Sequence, residues 1–486
     1  MATKKLIDRT KSTLRSLLPK GAFARGVTVL VGGTAGAQIL LVLAAPVLTR
    51  IYTPEDFGML AVYASLLALI GVVSSMRYEL AIPLPEDDGE AANVAALCLI
   101  LVGISTLLAG VLVLLLRQPI AELLGVPSLA GYLWLLPVGV LLGGAYNIFN
   151  YWSVRTKRFS AIAGTKLRQA LATLAIQLTL FKLGSIALLF GQVAGQSVGI
   201  ASLGRSALSG GGFRQVSWRG ILTAARKYRR FPIFSTLGGF LNSAGGQLPT
   251  LLLSAFFSPI IAGLYLLTER VLFGPASIMQ TAVSQVLHSH AKECNDKEKY
   301  AKLVGNVHVA LLSISLPISV VIFFFSPPVF TYVFGESWTE AGRYGSVLAV
   351  MFAFQFVSSP LTVVFHSINR PDLTLYYNVM LLILRVIGIF IGYHYFASAY
   401  YAIIGFSVFS SIGYLFFSFG TTYAGGLKPR IYFSNHAKPI VRTVTTMFLP
   451  IAAFLYFEII WAPFVLSILV VSINFYNIYK SEARNE

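Results

Sequence analysis

The chain has 486 residues, of which 56% are hydrophobic and 12% charged, with a formal net charge of +18 and a mean hydropathy of +0.74. Soluble globular domains carry about a quarter charged residues, so that class is excluded. A content of 35 Phe and 23 Tyr excludes a disordered chain, which lacks the apolar surface needed to bury a core. What remains is a protein embedded in a bilayer, with little chain left for any soluble domain.

Apolar runs predict helical spans near residues 27–49, 58–82, 91–116, 129–153, 162–181 and 185–204. A second series follows near 232–256, 260–287, 305–326, 344–367, 374–396, 399–424, 440–457 and 459–479. The expected fold is an all-α polytopic membrane protein with fourteen spans. With the N-terminus in the cytoplasm, 30 of the 37 basic residues fall in cytoplasmic segments. Four, Arg50, Arg117, Lys182 and Arg343, fall outside, and Arg77, Arg270 and Arg385 lie within apolar runs. This is the positive-inside asymmetry, which a miscounted span would destroy by inverting every later loop. Both termini are therefore expected in the cytoplasm, and the charge excess reads as topology, with no nucleic-acid partner. Residues 1–26 read as a basic cytoplasmic arm and not a signal peptide, since the apolar run that follows is too long. The arm either lies on anionic phospholipid headgroups or is a disordered tail.

The first spans of the two series contain related small-residue runs, Ala35-Gly36-Ala37-Gln38 and Ala244-Gly245-Gly246-Gln247, and the next spans open on Gly58-Met59-Leu60 and Gly263-Leu264-Tyr265. Residues 27–206 (spans 1–6) and 232–424 (spans 7–12) therefore read as two copies. They are joined by a basic cytoplasmic linker at 207–231, with spans 13 and 14 at 440–479 as an addition. An even number of spans per copy gives a parallel repeat about an axis along the membrane normal. Two such lobes could rock to open a shared cavity to either side of the membrane.

An ionisable side chain at membrane depth is expensive and normally faces a water-filled cavity or a partner. Arg270 and Arg385 each fall about ten residues into a span, near the bilayer midplane at 1.5 Å per residue. Both are candidates to line a cavity; an interhelical salt bridge such as Glu269 with Arg385 is the structural alternative. Arg77 and Glu79, about twenty residues into span 2, are candidates for the same cavity or for the headgroup region. Arg50 either guards the outer mouth or anchors at the interface. Arginine suits a pyrophosphate cargo through its bidentate fork and permanent charge. Gln38 and Gln247, with Asn150, Asn242 and Gln355, could bond sugar hydroxyls or simply join helices.

Catalytic signatures are absent from the sequence: it has no H-E-x-x-H, no G-x-x-x-x-G-K-[ST] and no G-x-S-x-G. Cys98 and Cys294 show no metal or redox spacing. The acidic run Glu86, Asp87, Asp88 and Glu90 is flanked by proline and lacks histidine, so it reads as a solvated loop and not a metal site. No metal, no other cofactor and no ATP-driven step are expected.

The stretch Arg50-Ile51-Tyr52-Thr53-Pro54-Glu55-Asp56-Phe57-Gly58, followed by Arg77-Tyr78-Glu79-Leu80-Ala81-Ile82 and Pro85-Glu86-Asp87-Asp88, resembles the Wzx-type O-antigen and exopolysaccharide flippases of the MOP superfamily. The motifs cover about residues 27–95. The resemblance implies a multi-pass protein of the bacterial inner membrane that turns an undecaprenyl-pyrophosphate-linked oligosaccharide from the cytoplasmic to the periplasmic leaflet. It also implies an arginine-lined cavity and, by analogy with lipid II flippases, a groove on spans 13 and 14 for the polyprenyl tail. Energy would come from an H+ or Na+ gradient or from consumption of the product. A polysaccharide polymerase and chain-length proteins are candidate partners. Three other readings stand beside it: a membrane glycan polymerase or ligase, a multidrug-type small-molecule exporter, and a receptor or scaffold without cargo. The enzyme reading is disfavoured by an external loop, about residues 327–343, that is short.

Overall fold

A computed structural model describes residues 22–208, 212–293, 297–368, 370–457 and 460–482. The basic arm before Ala22 lies outside the described residues, as does Cys294. Among the described residues there is helix and no strand. Fourteen helices of twenty residues or more run in order: α1 Ala22–Ile51, α2 Pro54–Val73, α3 Asp88–Leu123, α4 Leu135–Arg155, α5 Phe159–Thr179, α6 Ser185–Leu208, α7 Thr236–Phe256, α8 Pro259–Glu293, α9 Lys297–Phe334, α10 Thr339–Ser367, α11 Pro371–Phe396, α12 Ala399–Ala424, α13 Pro429–Phe457 and α14 Trp461–Glu482. Among the described residues ten helices are long and apolar enough to cross a membrane. α4, α5, α7 and α14 are not among those ten; α5 carries Lys166, Arg168 and Gln177, and α7 carries Asn242 and Gln247. On α3, Leu107, Leu114 and Leu115 are exposed, a face that would be an aggregation-prone patch in water and is ordinary against lipid.

Two sequence expectations change at helix ends. The second span stops at Val73 and not near residue 82. The chain then turns through Met76 and Arg77, both at positive φ, and re-forms as a single 3-10 turn, Tyr78–Ala81. Two successive left-handed residues cannot continue a right-handed helix, so the apolar run there is a folded-back corner. The expected loop at 327–343 shrinks as well, because α9 runs to Phe334 and only Gly335, at φ +105, and the turn Glu336–Trp338 separate it from α10.

The chain divides into two compact units. The first holds its described residues up to Ala44, Ile70–Arg117 and Gly131–Leu237. In it α6 packs on α4 and α5, and a core including Ile82, Val94, Cys98, Ile148, Trp152 and Leu203 is buried. Arg155 clamps the acidic loop: its Nη2 and Nε meet Asp88 Oδ1 at 2.9 and 3.0 Å, Nη2 donates to the Glu86 carbonyl at 3.0 Å, and Nη1 donates to the Pro85 carbonyl. A short amphipathic helix, Trp218–Lys227, begins on a Ser217 cap that accepts from the Gly220 amide at 3.1 Å, satisfying one of the free amides of a helix start. It docks on the start of α3 through Asn93 Oδ1, which accepts from the Ser217 amide at 3.0 Å, and through Lys227, 2.6 Å from Glu90.

The second unit holds Ala45–Leu69, Gln118–Ala130 and the described residues from Gly238 onward. The end of α1 and most of α2 thus pack with the C-terminal helices. α2 starts on a reciprocal cap in which Thr53 Oγ1 accepts from the Asp56 amide at 3.2 Å and Asp56 Oδ2 accepts from the Thr53 amide at 2.9 Å. Pro54 occupies the first turn, where its missing N–H costs nothing. Phe57 meets Trp338 edge-on at 4.9 Å, and the Trp338 indole N–H donates to the Thr49 carbonyl at 3.1 Å. α9 packs on α10, α13 and α14. Phe325 of α9 lies 4.7 Å from Phe454 and 5.5 Å from Phe464. The buried His308 ring sits about 5 Å from Tyr432 and His436 of α13, so the last two helices are built into this unit by aromatic contacts.

Candidate functional site

The second unit contains a partly open cavity of about 350 Å³ between α7, α8, α10, α11 and α12. Its placement begins with glycine. A Cβ on Gly388 of α11 would fall on the Gly405 backbone of α12, and one on Gly392 would fall on Ala402. The Gly388-x-x-x-Gly392 spacing thus brings the two helices into backbone contact. Just before that crossing, Arg385 turns towards α7 and α12 and is 9% exposed.

Arg385 is held by a second local feature. Pro249 lies inside α7, and without an N–H it leaves the carbonyl four residues earlier, Gly245, without its helical donor. Arg385 Nη1 donates to that carbonyl. Gly245 permits the approach, since a Cβ there would lie 3.2 Å from Nη1. Nη2 donates to the Tyr414 hydroxyl at 2.7 Å, and the guanidinium carbon lies 5.6 and 5.7 Å from the Phe406 and Tyr414 ring centres. Hydrogen bonds and aromatic faces stabilise a desolvated guanidinium. Its Nε is buried with no hydrogen-bond partner.

Of the eleven residues singled out from the sequence, Glu269, Arg385, Asn242 and Gln355 line this cavity together. No ion pair joins Glu269 and Arg385 among the described residues. Arg270, the next residue along α8, points about 100° away from Glu269. It is not among the residues that line the cavity, and it is half-buried with no hydrogen bond or ion pair to a described residue. Arg50 donates from Nη2 to the Tyr332 carbonyl at 3.1 Å, tying the end of α1 to α9. Gln247 Oε1 accepts from Ser65 Oγ at 3.0 Å, a bond from α7 to α2. Gln38, Arg77 and Glu79 belong to the first unit. There Arg77 pairs with Glu79 at 3.7 Å, Glu79 accepts from Ser75 Oγ, and Gln38 is half-buried on α1.

Sequence reasoning named Arg385, Asn242 and Gln355 singly but missed the helix faces to which they belong. Thr374, Asn378, Leu381 and Arg385 all line the cavity, spaced four, three and four residues apart, the stripe of one helix face. Gln355, Ser358, Ser359 and Thr362 repeat the pattern on α10. A search for polar residues at helical spacing, and not for single side chains, would have found both. Lys166, within the span expected near 162–181, was not singled out; in the first unit its ammonium lies 4.9 Å over the Tyr146 ring.

A family model described as polysaccharide biosynthesis protein matches residues 47–343. A search of curated proteins finds no match. Among solved structures, the lipid II flippase MurJ in an inward closed conformation aligns with a TM-score of 0.73 at 13% identity, covering 94% of this chain and 99% of that one. A multidrug resistance MATE family transporter of the MOP superfamily, inward-facing, aligns with a TM-score of 0.56 at 17% identity over 81% of this chain and 94% of its own. The Vibrio cholerae MATE transporter VcmN, in its bent form, aligns with a TM-score of 0.53 at 14% identity over 86% of this chain and 98% of its own. At these identities the likeness is one of fold.

Proposed function

The chain belongs to the polysaccharide biosynthesis protein family, and from that premise we propose that it is a flippase. Its cargo is an undecaprenyl-pyrophosphate-linked oligosaccharide repeat unit, moved from the cytoplasmic to the periplasmic leaflet of a bacterial inner membrane by alternating access, for O-antigen, capsule or exopolysaccharide synthesis. The observation that carries this reading is the cavity built around the buried Arg385, which a scaffold with no cargo does not need. The MurJ-like fold supports it, as do the extra helices α13 and α14, which offer apolar surface to a polyprenyl tail.

In this proposal the membrane is crossed fourteen times with both ends cytoplasmic, which agrees with the distribution of basic residues. Arg270, which makes no hydrogen bond or ion pair with a described residue, is assigned to the pyrophosphate, where a planar fork gives bidentate contacts. Transport needs no bound cofactor and is coupled to H+ or Na+ or drawn by consumption of the product. Anionic phospholipid, a polymerase and chain-length proteins are the proposed partners.

The test is translocation of an undecaprenyl-pyrophosphate-linked oligosaccharide in proteoliposomes, with polymerisation assayed alongside. Wild type should translocate without polymerising, and Arg270→Ala should lose translocation at unchanged protein level. Polymerisation by the purified chain would establish the enzyme reading instead, and efflux of small cations without glycolipid movement would establish the MATE-like one.

A further inference from the structure

We infer that the cavity of the second unit is a subsite for a neutral sugar of the cargo, and that the pyrophosphate is bound elsewhere. The inference rests on the flippase reading for the identity of the cargo, but the chemistry of the wall carries it. The cavity contains one potential anion, Glu269, and one cation, Arg385. Two nitrogens of that cation are already committed, to the Gly245 carbonyl and the Tyr414 hydroxyl. A pyrophosphate placed there would meet a carboxylate and a single cation, itself partly committed, to balance its several negative charges, the reverse of the cation-rich setting that oxyanions need.

The rest of the wall suits a polyol. The amides of Asn242, Gln355 and Asn378 line it and make no hydrogen bond with any described residue. Each offers a paired donor and acceptor, which is the pattern of a sugar hydroxyl. Thr374 Oγ1, also on the wall, is buried without a partner, as is Arg385 Nε. Buried polar groups left unpaired in this way are costly, and a ligand rich in hydroxyls would satisfy them. The half-buried rings of Tyr377 and Tyr414 add apolar surface for the C–H side of a pyranose. A volume of about 350 Å³ lies at the small end of ligand pockets, which span about 300–1,000 Å³. That is room for a sugar or two and not for a whole lipid-linked repeat unit.

The test is saturation-transfer NMR on the full chain in nanodiscs. The probes are D-glucose, D-galactose, D-mannose and N-acetyl-D-glucosamine, each alone, with inorganic pyrophosphate as competitor. At least one sugar should bind saturably, excess pyrophosphate should leave its signal in place, and Asn378→Ala and Gln355→Ala should each weaken binding about tenfold. Thermal melting of each variant, with Tyr414→Phe as a second probe of the wall, separates lost binding from lost folding. Absence of saturable binding by every sugar, displacement by pyrophosphate, or wild-type binding in folded variants would each overturn the subsite. The translocation assay runs in parallel: sugar binding without translocation sinks the flippase reading alone, and translocation without sugar binding sinks the subsite alone.

Discussion

Gly58 and Gly263 stand in the same relation to each other's helix: a Cβ on Gly58 would fall on the Pro259 carbonyl, and a Cβ on Gly263 would fall on the Pro54 carbonyl. Each glycine is four residues past the proline that opens its own helix, so α2 and α8 cross at their first turns with matched offsets. Both residues lie within the second unit.

Gly58→Ala and Gly263→Ala should each destabilise the chain by about 1–3 kcal/mol, the usual penalty for overpacking. The obstacle is backbone and cannot rotate away. Thermal unfolding of the full chain in detergent reads the effect, and melting curves like wild type would mean the crossing is looser than the geometry here.

Arg385→Ala should orphan the Gly245 carbonyl and cost about 1–3 kcal/mol for the unsatisfied group. Adding Pro249→Ala supplies the missing intrahelical N–H and should recover part of that loss. A double-mutant cycle checks it. Strict additivity of the two changes would show that Arg385 is not the substitute donor.

Arg155→Ala removes four hydrogen bonds from the loop at residues 85–88. Faster proteolytic cleavage between Ile82 and Gly89 should follow, with translocation activity changed less than by Arg270→Ala. Cleavage kinetics on membrane vesicles measure this directly, and an unchanged rate would show that the loop holds its shape without Arg155.

Ser65→Ala and Gln247→Ala should be non-additive, with a coupling of about 0.5–1.5 kcal/mol for one neutral hydrogen bond. If Gln247 instead bonds cargo, Ser65→Ala will leave translocation untouched while Gln247→Ala impairs it.

The motif at Thr53–Gly58 shows how sequence resemblance and physical role can diverge. It pointed to a transporter family, yet in the structure these residues build a helix start and a crossing: Thr53 and Asp56 cap, Phe57 packs on Trp338, and Gly58 admits the Pro259 backbone. Arg77 and Glu79 diverge in a similar way. Their apolar surroundings read as helix because hydropathy registers burial and not dihedral angle, and the left-handed pair Met76–Arg77 leaves no compositional mark.

What the sequence determined by itself is the bilayer and the helices. Both follow from local properties: twenty apolar residues in a row satisfy their backbone only as helix in lipid, and basic residues stay where translocation leaves them. From composition alone, Arg270 and Arg385 were equivalent midspan charges. The tertiary structure separated them, because it was Pro249, a glycine crossing and Tyr414, on two other helices, that drew Arg385 into a cavity with Glu269. Such convergence depends on which helix faces lie together, and a chain read one residue at a time carries no record of that.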